Sequence, residues 1–312
     1  MLDWAIVAAR MLQYACVLTL FGSALFFLYG LDMEPTSAPV PYHVWPRRIL
    51  LIASIGALAA SMPWLMAETA SLTGDAKNAL DWPSLWSIVS DTGFGRSGAL
   101  RVGALALSAT LLLVLPNSRR LWGLQALLGG TLVASFAWTG HGSMDVGAAG
   151  LLHRGSDVLH LLAAGIWIGA LLPLSLLIGC SIATQPRSDP RVVALALQRF
   201  SKVGAAVVSI LILSGLVNSW FLIGAPHWRE LFTTAYGRSL IVKLALFALM
   251  LVLAVLNRYR FSPALTASLE TPEPRVRALQ GLRRSVSAEM VLALLVIAVV
   301  ALLGTLEPPV SQ

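Results

Sequence analysis

His153, Asp157 and His160 stand at i, i+4 and i+7 in the segment "HRGSDVLHLLAAGIWIGALLPL". On a helix these spacings put all three side chains on one face. Trp167, fourteen residues past His153, continues the same stripe into an apolar run. Imidazole and carboxylate together can bind a metal or exchange protons. Polar groups placed at the mouth of an apolar helix are costly unless they have partners. A coordinated metal is one way of supplying the partner.

The preceding stretch "TGHGSMDVG" adds His141, Met144 and Asp145. A short connection joins it to the helix that carries His153. His141, Met144, Asp145, His153, Asp157 and His160 can therefore converge. Imidazole suits copper in either oxidation state, and a thioether favours Cu(I). Zinc would accept the His and Asp ligands as well. The two cysteines, Cys16 and Cys180, lie apart in apolar runs with no CxxC. The expected metal ligands are thus His, Met, Asp or Glu, and neither a thiolate site nor a disulfide framework is expected.

The elements that position these residues are transmembrane helices. The 312-residue chain is 57% hydrophobic and only 12% charged, about half the charged fraction of an ordinary soluble domain. Several apolar runs reach the ~20 residues that cross a bilayer as a helix. They are Leu- and Ala-rich and lack period-two alternation, which argues against strands. Eight spans are expected, near 4–29, 47–68, 97–115, 121–140, 157–179, 200–223, 238–257 and 288–306. The fold class expected is all-α: one polytopic helix bundle over residues 1–312. The N-terminus lacks the pattern of a cleavable signal and is expected to be a retained first helix.

The net charge of +7 is explained by where the basic residues fall. Loops 1–2, 3–4, 5–6 and 7–8 hold Arg47, Arg48, Arg119, Arg120, Arg187, Arg191, Arg199, Lys202, Arg258, Arg260, Arg275, Arg277, Arg283 and Arg284. The positive-inside rule makes that side cytoplasmic and puts both termini outside. No nucleic-acid partner is expected. His141, His153, His160 and His227 then lie on the outer side, and His43 on the inner. In the longest outer loop, "DWPSLWSIVSDTGFG" reads as an interfacial helix with Trp82 and Trp86 at headgroup level. The basic stretch "RVRALQGLRRS" is expected in the last inner loop, on the anionic leaflet.

Other polar residues fall inside predicted spans: Arg10, Arg101, Asn218 and Lys243. Either they snorkel and hydrogen-bond between helices, or they form a polar pathway in which Arg10 or Lys243 pairs with Asp157. Met11, Met62 and Met66 are either packing residues or a methionine relay. Gly165 and Gly169 form a GxxxG, which lets a second helix approach closely.

These residues carry a family resemblance. "TGHG" and "DVLHLLAAGIWIGALLPL" are similar to segments of the CopD/PcoD family of bacterial inner-membrane copper-resistance proteins. So are "RFSKVG", "SGLVNSWFLIG", "YGRSLIVKLALF" and "LNRYR", and the last helix with Glu289 and a terminal Pro-Pro. The resemblance implies a single copper-resistance D domain of eight helices in the inner membrane, handling copper between periplasm and cytoplasm. It implies a periplasmic CopC-type copper-binding partner. Some relatives carry that partner fused; here it is expected as a separate protein. Carried over to this sequence, the site residues are His141, His160 and Asp157, with Trp167 beside them. His153 and Met144 are added on spacing alone.

Metal capture and transfer is not an enzyme reaction, and no catalytic residue is nominated. The inner half offers few obvious ligands for transport: Met250, Met290, Glu289 and Cys180. A sensor or a copper-handling assembly factor would fit the same residues. The other class is a single b-type haem held by His141 and His160. A two-haem electron wire lacks the histidines. No nucleotide-binding motif is present for primary pumping.

Overall fold

The computed structural model describes residues 2–31, 41–138, 147–183, 190–224 and 229–311, with backbone alone for 2, 3, 41–44 and 311. All regular structure among the described residues is helical. Eight helices are long and apolar enough to cross a membrane: α1 (Leu2–Tyr29), α2 (Pro41–Thr73), α4 (Gly93–Val114), α5 (Arg119–Ser135), α6 (Gly147–Ala183), α7 (Pro190–Ile223), α9 (Ala235–Leu256) and α11 (Pro272–Leu303). Each overlaps one predicted span. The chain is a polytopic membrane bundle.

Capping side chains set several starts. Thr92 accepts from the Gly95 amide at the head of α4, Ser118 from Leu121 at α5, and Thr234 from Gly237 at α9. Each satisfies an amide that the first turn leaves without an intrahelical partner. The outer loop forms α3 (Trp82–Asp91), capped by Asp81, and a single turn, α8 (Glu230–Thr233), precedes α9. Trp82 and Trp86 stand exposed on α3 with stacked rings, as an interfacial helix requires.

Three helices extend well past their apolar runs. α6 begins at Gly147, α7 at Pro190 and α11 at Pro272, each ten or more residues before the predicted span. Polar and basic residues with good helix propensity continue the backbone pattern beyond the hydrocarbon. The basic stretch 275–285 is therefore not a surface loop. It is the first half of α11, where Leu279 and Leu282 are fully buried. Before it, the short helix α10 (Ser262–Ala267) packs on α11 and contributes the fully buried Leu265.

α1 is the hub, packed against α2, α5, α6 and α11. Its approach to α6 is backbone to backbone. A Cβ built on Gly22 would sit 2.1 Å from the Gly165 carbonyl oxygen, and one on Gly169 would sit 2.1 Å from that of Leu18. Ser23 ties the seam by donating to the Gly169 carbonyl at 2.8 Å. The GxxxG of α6 thus has α1 as its partner. On its other sides α6 meets α7 and α11, and α9 packs on α11.

Candidate functional site

The stripe on α6 docks on α7, and the two helices run antiparallel through three matched levels. His153 is buried with its ring stacked on Phe221, 4.7 Å between centroids and 6° between planes. Asp157 Oδ1 accepts from Asn218 Nδ2 at 3.3 Å. His160 Nδ1 lies 3.0 Å from the Ser214 hydroxyl. Positions 153, 157 and 160 thereby meet 221, 218 and 214: two helical faces with complementary four- and three-residue steps.

The hydrogen bonds fix the histidine's chemistry. The Ser214 hydroxyl donates its proton to the Ile210 carbonyl at 2.5 Å. Its oxygen is left to accept from Nδ1–H of His160. Nε2 then carries the lone pair, the form in which imidazole ligates a metal. Ser156 donates to the Ser214 carbonyl at 3.1 Å and holds the two backbones together at this level. Asn218 Oδ1 is buried with no partner, an oxygen donor beside the Asp157 carboxylate.

α9 supplies the charge. Lys243, half-buried, acts through space on Asp157. Tyr236, buried on the first turn of α9, lies within reach of the same carboxylate. Of the two cations weighed as partners of Asp157, Lys243 is the one whose charge acts on it, through space and without a direct ion pair among the described residues. Arg10 is engaged elsewhere: it donates to the Gly304 carbonyl at 2.9 Å and to the Tyr14 hydroxyl at 3.2 Å. Arg10 and Arg101 flank the Trp64 ring at 5.6 and 5.0 Å, and Arg101 is held by Ser97 of its own helix. Met62 is exposed, which removes it from any relay through the bundle.

His141 and Met144 lie outside the described residues, as do Asp145 and His227. Among the described residues no three His, Cys, Asp or Glu side chains are grouped to hold a metal. Within that set His160 Nε2 and the Asp157 carboxylate are the donors on the seam. Segment 139–146 joins directly to α6 at Gly147. Trp167 is not at this site. It is buried two turns further in, donating Nε1–H to Glu289 Oε2 at 3.3 Å.

Sequence reasoning named His153, Asp157, His160, Asn218 and Lys243 but missed Ser214, Phe221 and Tyr236. The signal for the first two was present: Ser214, Asn218 and Phe221 repeat the 4–3 spacing of the α6 stripe in the same chain order.

Two family models match the chain: "Copper resistance protein D-like, N-terminal domain" over residues 1–151 and "Copper resistance protein D" over residues 194–303. Copper resistance protein D of Pseudomonas syringae pv. tomato is 33% identical over 97% of this chain and 96% of its own length. Inner membrane protein YebZ of Escherichia coli K12 is 26% identical over 99% of this chain and its whole length. Copper transport protein CutJ of Bacillus subtilis 168 is 35% identical over 40% of this chain and 22% of its own length. No solved structure matches significantly. The near end-to-end match to the Pseudomonas protein places this chain in the copper resistance protein D family.

Proposed function

We propose that this protein captures copper at the outer end of its bundle in the bacterial inner membrane and passes it towards the cytoplasm. The observation that carries the reading is the His160–Ser214–Ile210 chain of hydrogen bonds, which leaves Nε2 of a half-buried imidazole as the free ring nitrogen one helical turn from the Asp157 carboxylate. Copper is the cargo that the names of the Pseudomonas and Bacillus relatives point to. The E. coli relative's name supports the inner membrane as its place. The positive-inside rule assigns the α6 N-terminal end to the periplasm, and with it both chain termini.

In this reading His160 and Asp157 provide the first nitrogen and oxygen ligands. His141 completes the set from the adjoining segment, with Met144 as a soft ligand for Cu(I). His153 steadies the seam by stacking on Phe221, in place of binding the metal itself. Lys243 balances the carboxylate when copper is absent and is repelled by a bound cation, which gives the site a way to release. A periplasmic copper-binding protein of the CopC type is the expected donor.

The test is metal content and the optical spectrum of detergent-purified protein after copper loading, beside His160→Ala and His141→Ala. Near-stoichiometric copper lost in both variants, without a Soret band, supports the reading. A Soret band lost in the variants replaces copper with a single b-type haem on the same two histidines. Copper retained by His160→Ala refutes the assignment.

A further inference from the structure

Seven residues beyond His160 on α6, a second polar site is closed inside the bundle. Glu289 of α11 is 1% exposed. Its Oε2 accepts from Trp167 of α6 at 3.3 Å, and its Oε1 accepts from Nδ2 of Asn257 at the end of α9. Both donors are neutral. A carboxylate at this depth without a cation is expensive, and such groups mark proton or ion pathways.

The charged and titratable groups around it are all committed elsewhere or face outward. On α11 itself Arg283 and Arg284 are exposed. On the turn after α9, Arg258 donates to the Ser201 carbonyl, and Tyr259 and Arg260 are exposed. On α1, Arg10 is bonded to Gly304 and Tyr14, Cys16 lies against Gly56 of α2, and Tyr29 packs on Phe26. α10 carries no charge. On α6 and α9 the nearest charges are those of the outer site, Asp157 and Lys243.

Asn257 makes the site two-sided. Its Oδ1 is buried without a partner. With the amide as it stands, Glu289 is served as an acceptor, which suits the carboxylate. With the amide turned over, Oδ1 would accept from a carboxylic acid O–H. The pocket therefore holds a ready partner for either form, and the orphaned oxygen is the one the protonated form would use. Asn257 also opens the π-helix Asn257–Phe261, closed by the Ser262 amide donating to its carbonyl. Single π-turns inside α-helices occur frequently at functional sites.

The site shares its helices with the outer one. On α9 Lys243, Met250 and Asn257 follow at i, i+7 and i+14, and Met250 is 3% exposed. On α6 His160 and Trp167 stand two turns apart, and Trp167 meets Phe247 edge-on at 6.0 Å. Side chains of α6 and α9 thus meet at two levels, Lys243 acting on Asp157 at the outer one and Phe247 on Trp167 at the inner.

We propose that Glu289 is an intramembrane proton-binding site, with the Asn257 amide as its reversing partner and Trp167 as its fixed donor. One proton adds to Oε1 of Glu289 and the amide turns so that its Oδ1 accepts a hydrogen bond from the new O–H; on release both reverse. No copper is needed for this step, so it stands apart from the outer-site reading.

The experiment is pH-difference infrared spectroscopy of the purified full-length protein reconstituted in lipid. A carboxylic-acid C=O stretching band that appears on acidification, is absent in Glu289→Gln and is displaced in Asn257→Leu is the expected result. The same band in Glu289→Gln, or no protonated buried carboxyl at any accessible pH, overturns the proposal. If Glu289→Gln fails to fold, Asn257→Leu decides, since it keeps the carboxyl: a displaced band supports the proposal and an unmoved band overturns it.

Discussion

Replacing Gly169 by alanine tests the α1–α6 seam directly. The new methyl would lie 2.1 Å from the Leu18 carbonyl oxygen and 2.7 Å from the Gly22 Cα. Both obstacles are backbone, so no side-chain rotation relieves them. The contact is more than about 1 Å short of van der Waals separation, and the helices must part along the whole seam. Overpacking of this kind costs about 1–3 kcal/mol. Displacing the Gly169 carbonyl also weakens the bond from Ser23, worth about 1 kcal/mol. The gain in helix propensity, up to about 1 kcal/mol, offsets only part of this. A net loss of about 1–3 kcal/mol is expected in an unfolding titration with denaturing detergent, followed by circular dichroism. Gly179 of the same helix is the control, since a methyl there meets nothing within 4 Å. Gly179→Ala should be neutral or slightly stabilising. A Gly169→Ala protein as stable as Gly179→Ala would refute the close-contact reasoning.

Ser214→Ala removes the acceptor that holds His160 Nδ1–H, and copper affinity should fall about tenfold in a competition titration, as for other residues that orient a ligating histidine. Asn218→Leu deprives Asp157 of the one side chain that bonds it among the described residues and should destabilise the protein by about 1–3 kcal/mol, with a smaller loss in an Asp157→Asn background. Gln125 joins Ser108 and, through it, Ser54 in a buried network. Gln125→Leu leaves Ser108 short of a partner and should cost about 1–3 kcal/mol in the same unfolding assay. Asp81 accepts from the Ser84 hydroxyl and amide, which holds its carboxyl below the usual range. A lowered folded-state pKa means the cap is present at neutral pH and lost as pH falls through that value. The Ser84 amide resonance should therefore shift on acidification, and the shift should vanish in Asp81→Ala.

Much of the architecture was legible because lipid leaves a chain few choices. Eight apolar runs became eight helices, and the 153–157–160 stripe became one face. What the stripe docks against was not legible in the same way. Hydrophobic length places a helix in the membrane but does not choose its neighbour. That choice rests on shape, as with Gly22 against Gly165 and Gly169, and on matched polar steps, as with Ser214 and Asn218. Helix ends were misjudged for a related reason. Apolar length reports the hydrocarbon segment, while Pro190 and Pro272 begin helices that continue outside it. Arg10 shows the remaining gap. Its type and depth left open an interhelical hydrogen bond or a pairing with Asp157; the first holds, and its acceptor is a backbone carbonyl at a helix end, which no residue pattern announces.

That bond has a consequence for biosynthesis. Arg10 emerges in the first helix, and the Gly304 carbonyl it serves is made 294 residues later. At about 5–20 residues per second, the arginine waits on the order of 15–60 s for it. Through that interval α1 must remain beside the insertion machinery or lean on provisional partners, of which Tyr14 and Trp64 are the first to be translated. Assembly is then ordered by the last helix and not the first. A chain halted before Gly304 would hold an arginine in the membrane with its main acceptor never made, a natural mark by which quality control could tell an unfinished copy from a finished one.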